Sequence, residues 1–179
     1  MVAAVLALDP THTLAPFHGP VTTIEQMVRN VRGARGERSV LVRSMTERVV
    51  AGLQPKDYLS EIIALRNFVA ERCRYLNDPL TTEWVKDPER MASEILYQGS
   101  CQSDCEEQAQ LIATMARQCG REAEFVTVGF TRDPEVMSHV FARAREPKTQ
   151  KWLVCDPVAG SNEARMLSRV TTFRIWRID

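Results

Sequence analysis

The sequence predicts an α+β fold in which a helical N-terminal half packs against a C-terminal antiparallel sheet. Apolar residues recur at helical spacing in successive segments between residues 21 and 120. After Gly120 the apolar period changes to two, which is typical of half-buried strands. Helices followed by consecutive strands are characteristic of α+β architecture. A length of 179 residues with 44% apolar content suits one domain, residues 1–179, with a single core.

Capping residues and breakers bound each element of the helical half. An edge strand at about residues 3–8 and a loop are expected within residues 1–20, and a short extended segment is expected at 80–85. In the rest of the chain up to residue 120, glycines, prolines and capping side chains delimit five predicted helices. These helices lie at about 22–32, 39–52, 57–76, 88–98 and 104–119.

The C-terminal part, residues 121–179, is predicted to form an antiparallel sheet. Alternating patterns separated by turn residues indicate strands at about 123–130, 138–145, 151–155 and 171–178. Consecutive strands of a meander are usually neighbours. We therefore expect the second and third of these strands to pair.

The composition excludes several classes of partner. With 23 basic and 23 acidic side chains, the chain lacks the basic excess typical of proteins that bind nucleic acid or anionic membranes. The first apolar run has no basic residues before it and is interrupted by Asp9-Pro10, so we expect neither a signal peptide nor a membrane span. Five cysteines without framework spacing favour reduced thiols and synthesis in the cytoplasm.

The helix predicted at 104–119 carries a cysteine in its first turn. Ser103 and Glu106 have the spacing of a capping box, which places the start of the helix at about Asp104. Cys105 then heads the buried face of this helix, and Gly120 closes its far end. Free N–H groups and the helix dipole at this position favour thiolate and predict a lowered pKa. A lone cysteine on an apolar face is more often a core residue, so further catalytic groups are needed.

The strands provide a base and an acid in a suitable order. His139 is the only histidine after residue 18 and lies on the second predicted strand. Asp156 ends the third strand, where its carboxylate can hold the Nδ1–H of His139. A cysteine nucleophile needs a neighbouring base and a group that orients this base. Cys105, His139 and Asp156 are therefore the predicted catalytic residues.

Three segments around these residues resemble the transglutaminase-like superfamily, whose fold is papain-like. The family pattern is Cys with Ala four residues later and an Arg-x-x-Gly end, then His-x-aromatic, then Trp-x-x-x-Asp-Pro. The matching segments are Cys105-Glu106-Glu107-Gln108-Ala109 with Arg117-Gln118-Cys119-Gly120, His139-Val140-Phe141, and Trp152-Leu153-Val154-Cys155-Asp156-Pro157. The resemblance covers roughly residues 57–158. It departs at Ser103, where the family often has Gly, and at Gln108, where the family often has an aromatic residue.

A narrower resemblance is to the compact transglutaminase-like proteins encoded in structural modules of tailed bacteriophages and prophages. It rests on Pro55-Lys56-Asp57-Tyr58-Leu59, Arg74-Tyr75-Leu76-Asn77-Asp78-Pro79, Asp87-Pro88-Glu89-Arg90 and Ser103-Asp104-Cys105-Glu106-Glu107. This resemblance implies other phage structural proteins as partners and incorporation into a phage particle.

The family resemblance implies acyl transfer through a thioester on Cys105. His139 would carry the proton, Asp156 would fix the tautomer of His139, and no cofactor or metal would be required. The backbone N–H of Cys105 is one expected oxyanion donor. The side chains within reach for the second donor are Gln98, Gln102 and Trp84. A peptide or protein amide is the expected substrate, and hydrolysis is expected over crosslinking.

Alternative interpretations remain from the same residues. Cys101 also follows a Gly-Ser pair, but with Cys101 as nucleophile the small residue and the closing glycine fall out of register. Cysteines four apart are compatible with a zinc site made of Cys101, Cys105, His139 and Cys155. His12 and His18 have no further ligands at metal spacing. A non-catalytic phage structural or assembly protein could retain the same fold.

Overall fold

The computed structural model describes residues 21–77, 85–133 and 136–179. The strand and loop predicted within residues 1–20 lie outside the described residues. So do Trp84, His12, His18 and most of the extended segment predicted at 80–85.

The described part of the helical half contains five α-helices that agree with the predicted positions. They are α1 (Val21–Arg32), α2 (Val40–Val50), α3 (Tyr58–Arg72), α4 (Pro88–Gln98) and α5 (Cys105–Gln118). Side chains at the N-caps explain why α2, α3 and α4 begin where they do: Ser39, Asp57 and Asp87 each accept a hydrogen bond from a backbone N–H in the first turn. Gly99 and Gly120 adopt positive φ just after α4 and α5, as expected for glycines that end helices.

The C-terminal part forms an antiparallel sheet of the strands β3 (Ala123–Gly129), β4 (His139–Arg145), β5 (Trp152–Cys155) and β6 (Thr172–Arg177). Their order across the sheet is β5-β4-β3-β6. The meander of β3, β4 and β5 and the pairing of β4 with β5 agree with the prediction. The last strand returns to pair with β3 on its other edge. The predicted α+β class is confirmed.

Two short strands differ from the prediction. The third helix ends at Arg72, and the residues expected to complete it form β1 (Cys73–Tyr75). This strand pairs in parallel with β2 (Cys101–Ser103), in the segment just before α5. The apolar spacing continues past Arg72 in the sequence, so the helix pattern alone could not reveal that pairing to a distant segment ends the helix. A short 3₁₀ turn (Gly160–Asn162) and α6 (Glu163–Leu167) were also not predicted.

Helix α5 occupies the centre of the molecule. It packs against α1, α2 and α3 on one side and against β3 and β4 on the other. Every residue of α5 from Glu107 to Ala116 is buried. Apolar side chains from both layers, including Phe125, Val140 and Ala142 of the sheet, join α5 in one core. The start of α5 therefore lies at the junction between the helical half and the sheet.

Candidate active site

The start of α5 is fixed by a capping box that lies one residue later than predicted. Asp104 is the N-cap: its Oδ1 accepts hydrogen bonds from the backbone N–H groups of Glu106 and Glu107, at 3.1 and 3.2 Å. Glu107 completes the box by accepting from the backbone N–H of Asp104 at 3.2 Å. The predicted box of Ser103 and Glu106 is wrong because Ser103 is held in β2, paired with Tyr75.

This shift frees the side chain of Glu106 to contact the predicted nucleophile. The Cys105 thiol donates a hydrogen bond to Glu106 Oε2, with 3.0 Å between the sulfur and the oxygen. Cys105 is 8% exposed, so it heads the buried face of α5 as predicted. The thiol in this structure is therefore held by the carboxylate of the next residue.

The pKa of Cys105 moves in the opposite direction to the prediction. Burial raises the pKa of the thiol above its ordinary value, and the charge of Glu106 and its hydrogen bond add to the rise. The backbone N–H of Val140 lowers this pKa, but it does not balance the other causes. The predicted lowering at the helix start is wrong because burial and the Glu106 carboxylate outweigh the dipole of α5.

The other two predicted residues are hydrogen-bonded to each other. His139 is the first residue of β4, and Asp156 directly follows β5, the strand paired with β4. Their side chains meet with 2.7 Å between His139 Nε2 and Asp156 Oδ2. A carboxylate only accepts, so Nε2–H is the donor of this bond, and in a neutral imidazole Nδ1 is then the acceptor. The predicted contact through Nδ1 is wrong, since the ring presents Nε2 to Asp156 in this register.

The Asp156 carboxylate is oriented from both of its oxygens. Oδ1 accepts hydrogen bonds from the backbone N–H groups of Val158 and Ala159, at 3.0 and 3.1 Å, while Oδ2 meets His139. Asp156 is 0% exposed. Arg66 of α3 secures the turn that follows by donating to the carbonyl of Gly160 at 2.9 Å. This network holds the imidazole of His139 in one orientation.

Strand β4 also links the thiol to the His139 region. The backbone N–H that lowers the pKa of the Cys105 thiol belongs to Val140, the residue after His139. Within the described residues no hydrogen bond joins Cys105 to His139, and the thiol donates to Glu106 instead. The structure thus brings the start of α5 next to the start of β4, but the Cys105 thiol is hydrogen-bonded to Glu106 and not to His139.

Of the predicted oxyanion donors, the backbone N–H of Cys105 is available, whereas the side chains of Gln98 and Gln102 are exposed. The N–H groups of Glu106 and Glu107 are occupied by Asp104, whereas the N–H of Cys105 has no hydrogen-bond acceptor within the described residues. Gln98 is exposed at the end of α4. Gln102 is exposed in β2, between two buried neighbours, so its side chain points away from theirs. Trp84 lies outside the described residues.

Tyr75 is a residue near the site that the sequence analysis did not single out. It is the β1 partner of Ser103, two residues before Cys105, and it is 50% exposed. Partial burial raises the pKa of Tyr75 to about 12, and the acidic groups that add to the rise are Cys105, Asp104, Glu106 and Asp156. The pairing with Ser103 brings Tyr75 near the start of α5. The parallel pairing of β1 with β2 joins segments that are distant in the chain, so no local sequence pattern could predict the position of Tyr75.

The four residues of the alternative zinc site are engaged separately. The sulfur of Cys101 lies beside Cys73, the Cys105 thiol donates to Glu106, and the thiol of Cys155 donates to the Leu153 carbonyl. His139 is bound to Asp156. In the described part of the chain, no three His, Cys, Asp or Glu side chains form a group able to hold a metal ion.

The chain belongs to the transglutaminase-like superfamily. The model of this family matches residues 43–157, which include α5, β4 and the end of β5. No curated protein sequence matches the chain significantly. The family resemblance predicted from the sequence is confirmed, while the narrower resemblance to phage proteins is untested by these comparisons.

Two solved structures have a similar fold. One, from Parabacteroides distasonis ATCC 8503, is described as a candidate protease, with a TM-score of 0.55 and 12% identity over 76% of this chain and 26% of that one. The other, from Cytophaga hutchinsonii, is described as a candidate cysteine protease, with a TM-score of 0.53 and 12% identity over 85% and 51%. The chain thus spans about a quarter and about half of their lengths.

Among the described residues, no helix is both long and apolar enough to cross a bilayer.

Proposed function

We propose that this protein is a cysteine acyl-transfer enzyme that hydrolyses a peptide or protein amide through a thioester on Cys105. One observation carries the proposal: the start of α5, with Cys105, packs against the start of β4, where Asp156 holds Nε2 of His139. The remaining nitrogen of His139 is then free to accept a proton. A nucleophile, a base and a group that orients the base are the parts that thiol acyl transfer requires.

The resting thiol must first leave Glu106. On substrate binding, the Cys105 thiol turns from the Glu106 carboxylate towards Nδ1 of His139, which takes its proton. The thiolate attacks the carbonyl carbon, and His139 then gives the proton to the leaving amine. Asp156 keeps the Nε2–H tautomer in place and stabilises the imidazolium that forms between these steps.

Two donors are available for the oxyanion of the tetrahedral intermediate. The N–H of Cys105 lies at the start of α5 without an acceptor among the described residues, where the helix dipole also favours negative charge. The second proposed donor is the hydroxyl of Tyr75, which is protonated at neutral pH, as a tyrosine ordinarily is, and whose pKa is raised further to about 12. Half of this side chain is exposed, so substrate can reach it.

Water is the proposed acceptor of the acyl group. Water attacks the thioester carbonyl, gives a proton to His139, and releases a carboxylic acid and the restored thiol. The sequence motifs do not distinguish hydrolysis from transfer of the acyl group to an amine. The two similar structures described as candidate proteases support the hydrolytic outcome for this chain.

The test compares the wild-type chain with Cys105→Ser. Each is incubated with fluorescently labelled denatured protein and with a labelled primary amine, so that cleavage and amine incorporation are read separately. We expect wild-type cleavage that Cys105→Ser lacks, with melting temperatures that agree within a few degrees because Ser is close to Cys in volume.

Equal cleavage by both forms would contradict the role of Cys105. Amine incorporation without cleavage would show that the enzyme crosslinks amines to its substrate and does not hydrolyse it. If neither form acts on any substrate and Cys105→Ser supports normal assembly of a phage particle, a structural role would replace the enzymatic one.

A further inference from the structure

Two buried cysteines outside the proposed catalytic group face each other across β1 and β2. Cys73 begins β1, Cys101 begins β2, and the two residues are direct partners in the parallel register. Their sulfur atoms are 3.1 Å apart. Both side chains are buried, and both cysteines are free thiols in this structure.

The backbone at this position suits a covalent bond between the two sulfurs. Neighbouring strands lie about 4.7–4.9 Å apart, which is within the range of about 4.4–6.8 Å between Cα atoms that a disulfide needs. The sulfurs need to approach by only about 1 Å to reach a bonded distance near 2.05 Å. Small side-chain rotations supply such a movement without rearranging the strands.

The two thiols differ in their readiness to ionise. The hydrogen-bonding contact with the Cys73 sulfur lowers the pKa of Cys101, and the ammonium of Lys86 acts in the same direction. Lys86 is held close by a hydrogen bond from its Nζ to the carbonyl of Gln102, the residue after Cys101. The same contact raises the pKa of Cys73, since Cys73 shares its hydrogen with a forming thiolate. Cys101 is therefore the more nucleophilic sulfur and Cys73 its partner.

We propose that Cys73 and Cys101 are a redox pair that closes to an intramolecular disulfide when a small peroxide is the oxidant. The Cys101 thiolate attacks one oxygen of hydrogen peroxide, which breaks the O–O bond and leaves a sulfenic acid and, after protonation, one water. The Cys73 sulfur then attacks Cys101 Sγ, the S–O bond breaks, and the thiol proton leaves with the hydroxide as a second water. Two thiols lose two electrons, and one peroxide is reduced to two waters.

The disulfide would tie the end of α3 to the segment that leads into the candidate site. It encloses the residues between 73 and 101, including α4, in a covalent loop. Two residues further along the same strand pair, Tyr75 is the partner of Ser103, and the Leu76 N–H donates to the Ser103 carbonyl at 3.1 Å. Closure thus secures the pairing that carries Tyr75, and it does not depend on the proposed catalytic activity.

The test treats the full chain with one to a few equivalents of hydrogen peroxide, followed by alkylation in denaturant and peptide mass spectrometry without reduction. We expect a Cys73–Cys101 linked peptide and a melting temperature raised by about 5–10 °C, reversed by dithiothreitol. Cys73→Ser and Cys101→Ser should lose both effects. Cys119→Ser, which changes a half-buried thiol at the end of α5, and Cys105→Ser should keep them.

Three results would overturn the proposal. They are recovery of Cys73 and Cys101 as free thiols while other cysteines are oxidised, a disulfide that joins Cys101 to Cys105, and oxidation of Cys101 to sulfinic acid without a link to Cys73. The mass spectra of the wild-type chain decide among these outcomes even if a serine variant fails to fold.

Discussion

The thiol of Cys105 donates a hydrogen bond to the carboxylate of Glu106, with 3.0 Å between Sγ and Oε2. The relationship exists because Asp104 and the side chain of Glu107 form the capping box, so the side chain of Glu106 is not part of it. A carboxylate beside a thiol disfavours thiolate, so the resting nucleophile is protonated. Glu106 therefore acts against the activation that a helix start would otherwise provide.

Replacing Glu106 by Gln should make Cys105 more reactive. The change removes a negative charge beside the thiol and keeps the length of the side chain, so the pKa of Cys105 should fall. We expect alkylation of Cys105 by iodoacetamide at pH 7 to be several-fold faster, with its pH profile moved to lower pH. Rates are measured by mass spectrometry of the peptide that carries Cys105. Glu47→Gln, on an exposed position of α2, is the matched control. Identical profiles in wild type and Glu106→Gln would contradict this account.

Replacing Asp156 by Asn should impair catalysis while the fold persists. The Oδ1 atom of Asn can still accept from the N–H groups of Val158 and Ala159, so the turn after β5 is retained. The negative charge that stabilises the imidazolium of His139 is lost, and we expect hydrolysis to fall by about 10²- to 10⁴-fold. Activity is measured with the substrate found for the wild type, beside thermal melting. A hydrolysis rate that stays near the wild-type value would show that Asp156 has only a structural role.

Replacing Tyr75 by Phe tests the second oxyanion donor. The ring stays and the hydroxyl is removed, so we expect kcat to fall by about 10- to 10³-fold while the melting temperature changes little. Alkylation of Cys105 by iodoacetamide should keep its rate, because that reaction forms no oxyanion. Tyr97→Phe, at a residue 83% exposed, is the control. A loss of alkylation rate equal to the loss of hydrolysis would mean that Tyr75 acts on the thiol instead.

Asp104 should make stability depend on pH. Burial, followed by the charge of Glu106, raises the pKa of Asp104 to about 8, whereas the unfolded chain has the usual value near 4. The folded chain thus holds a proton that the unfolded chain releases between about pH 4 and pH 8. The contribution of Asp104 to the free energy of unfolding is complete below about pH 4 and is lost as pH rises through this window.

Asp104→Asn isolates this effect. Asn is also a good N-cap and is neutral at every pH, so the variant should lose less stability than the wild type between pH 5 and pH 8. Urea unfolding of both chains at the two pH values measures the difference. Parallel losses in the two chains would show that Asp104 is already ionised in the folded state.

The sequence predicted the parts of the fold that depend on local pattern. The end of α5 at Gly120 follows from the positive φ that glycine tolerates, and α4 begins at the Asp87-Pro88 cap and first-turn signal. The pairing of β4 with β5 followed from their order in the meander, so the proximity of His139 and Asp156 could be expected. Periodicity, capping residues and the order of elements depend on residues close together in the chain, so they can be read from the sequence without the tertiary structure.

The sequence by itself determined the class of fold, the helix that carries Cys105 and the strands that carry His139 and Asp156. Only the tertiary structure decided which carboxylate caps α5, which partner the thiol takes, and that the end of the third predicted helix becomes a strand opposite Cys101. The physical reason is that capping residues and apolar spacing favour a given structure only locally, and adjacent positions in the chain often favour it about equally. Burial, charge and strand pairing between distant segments then select among these preferences.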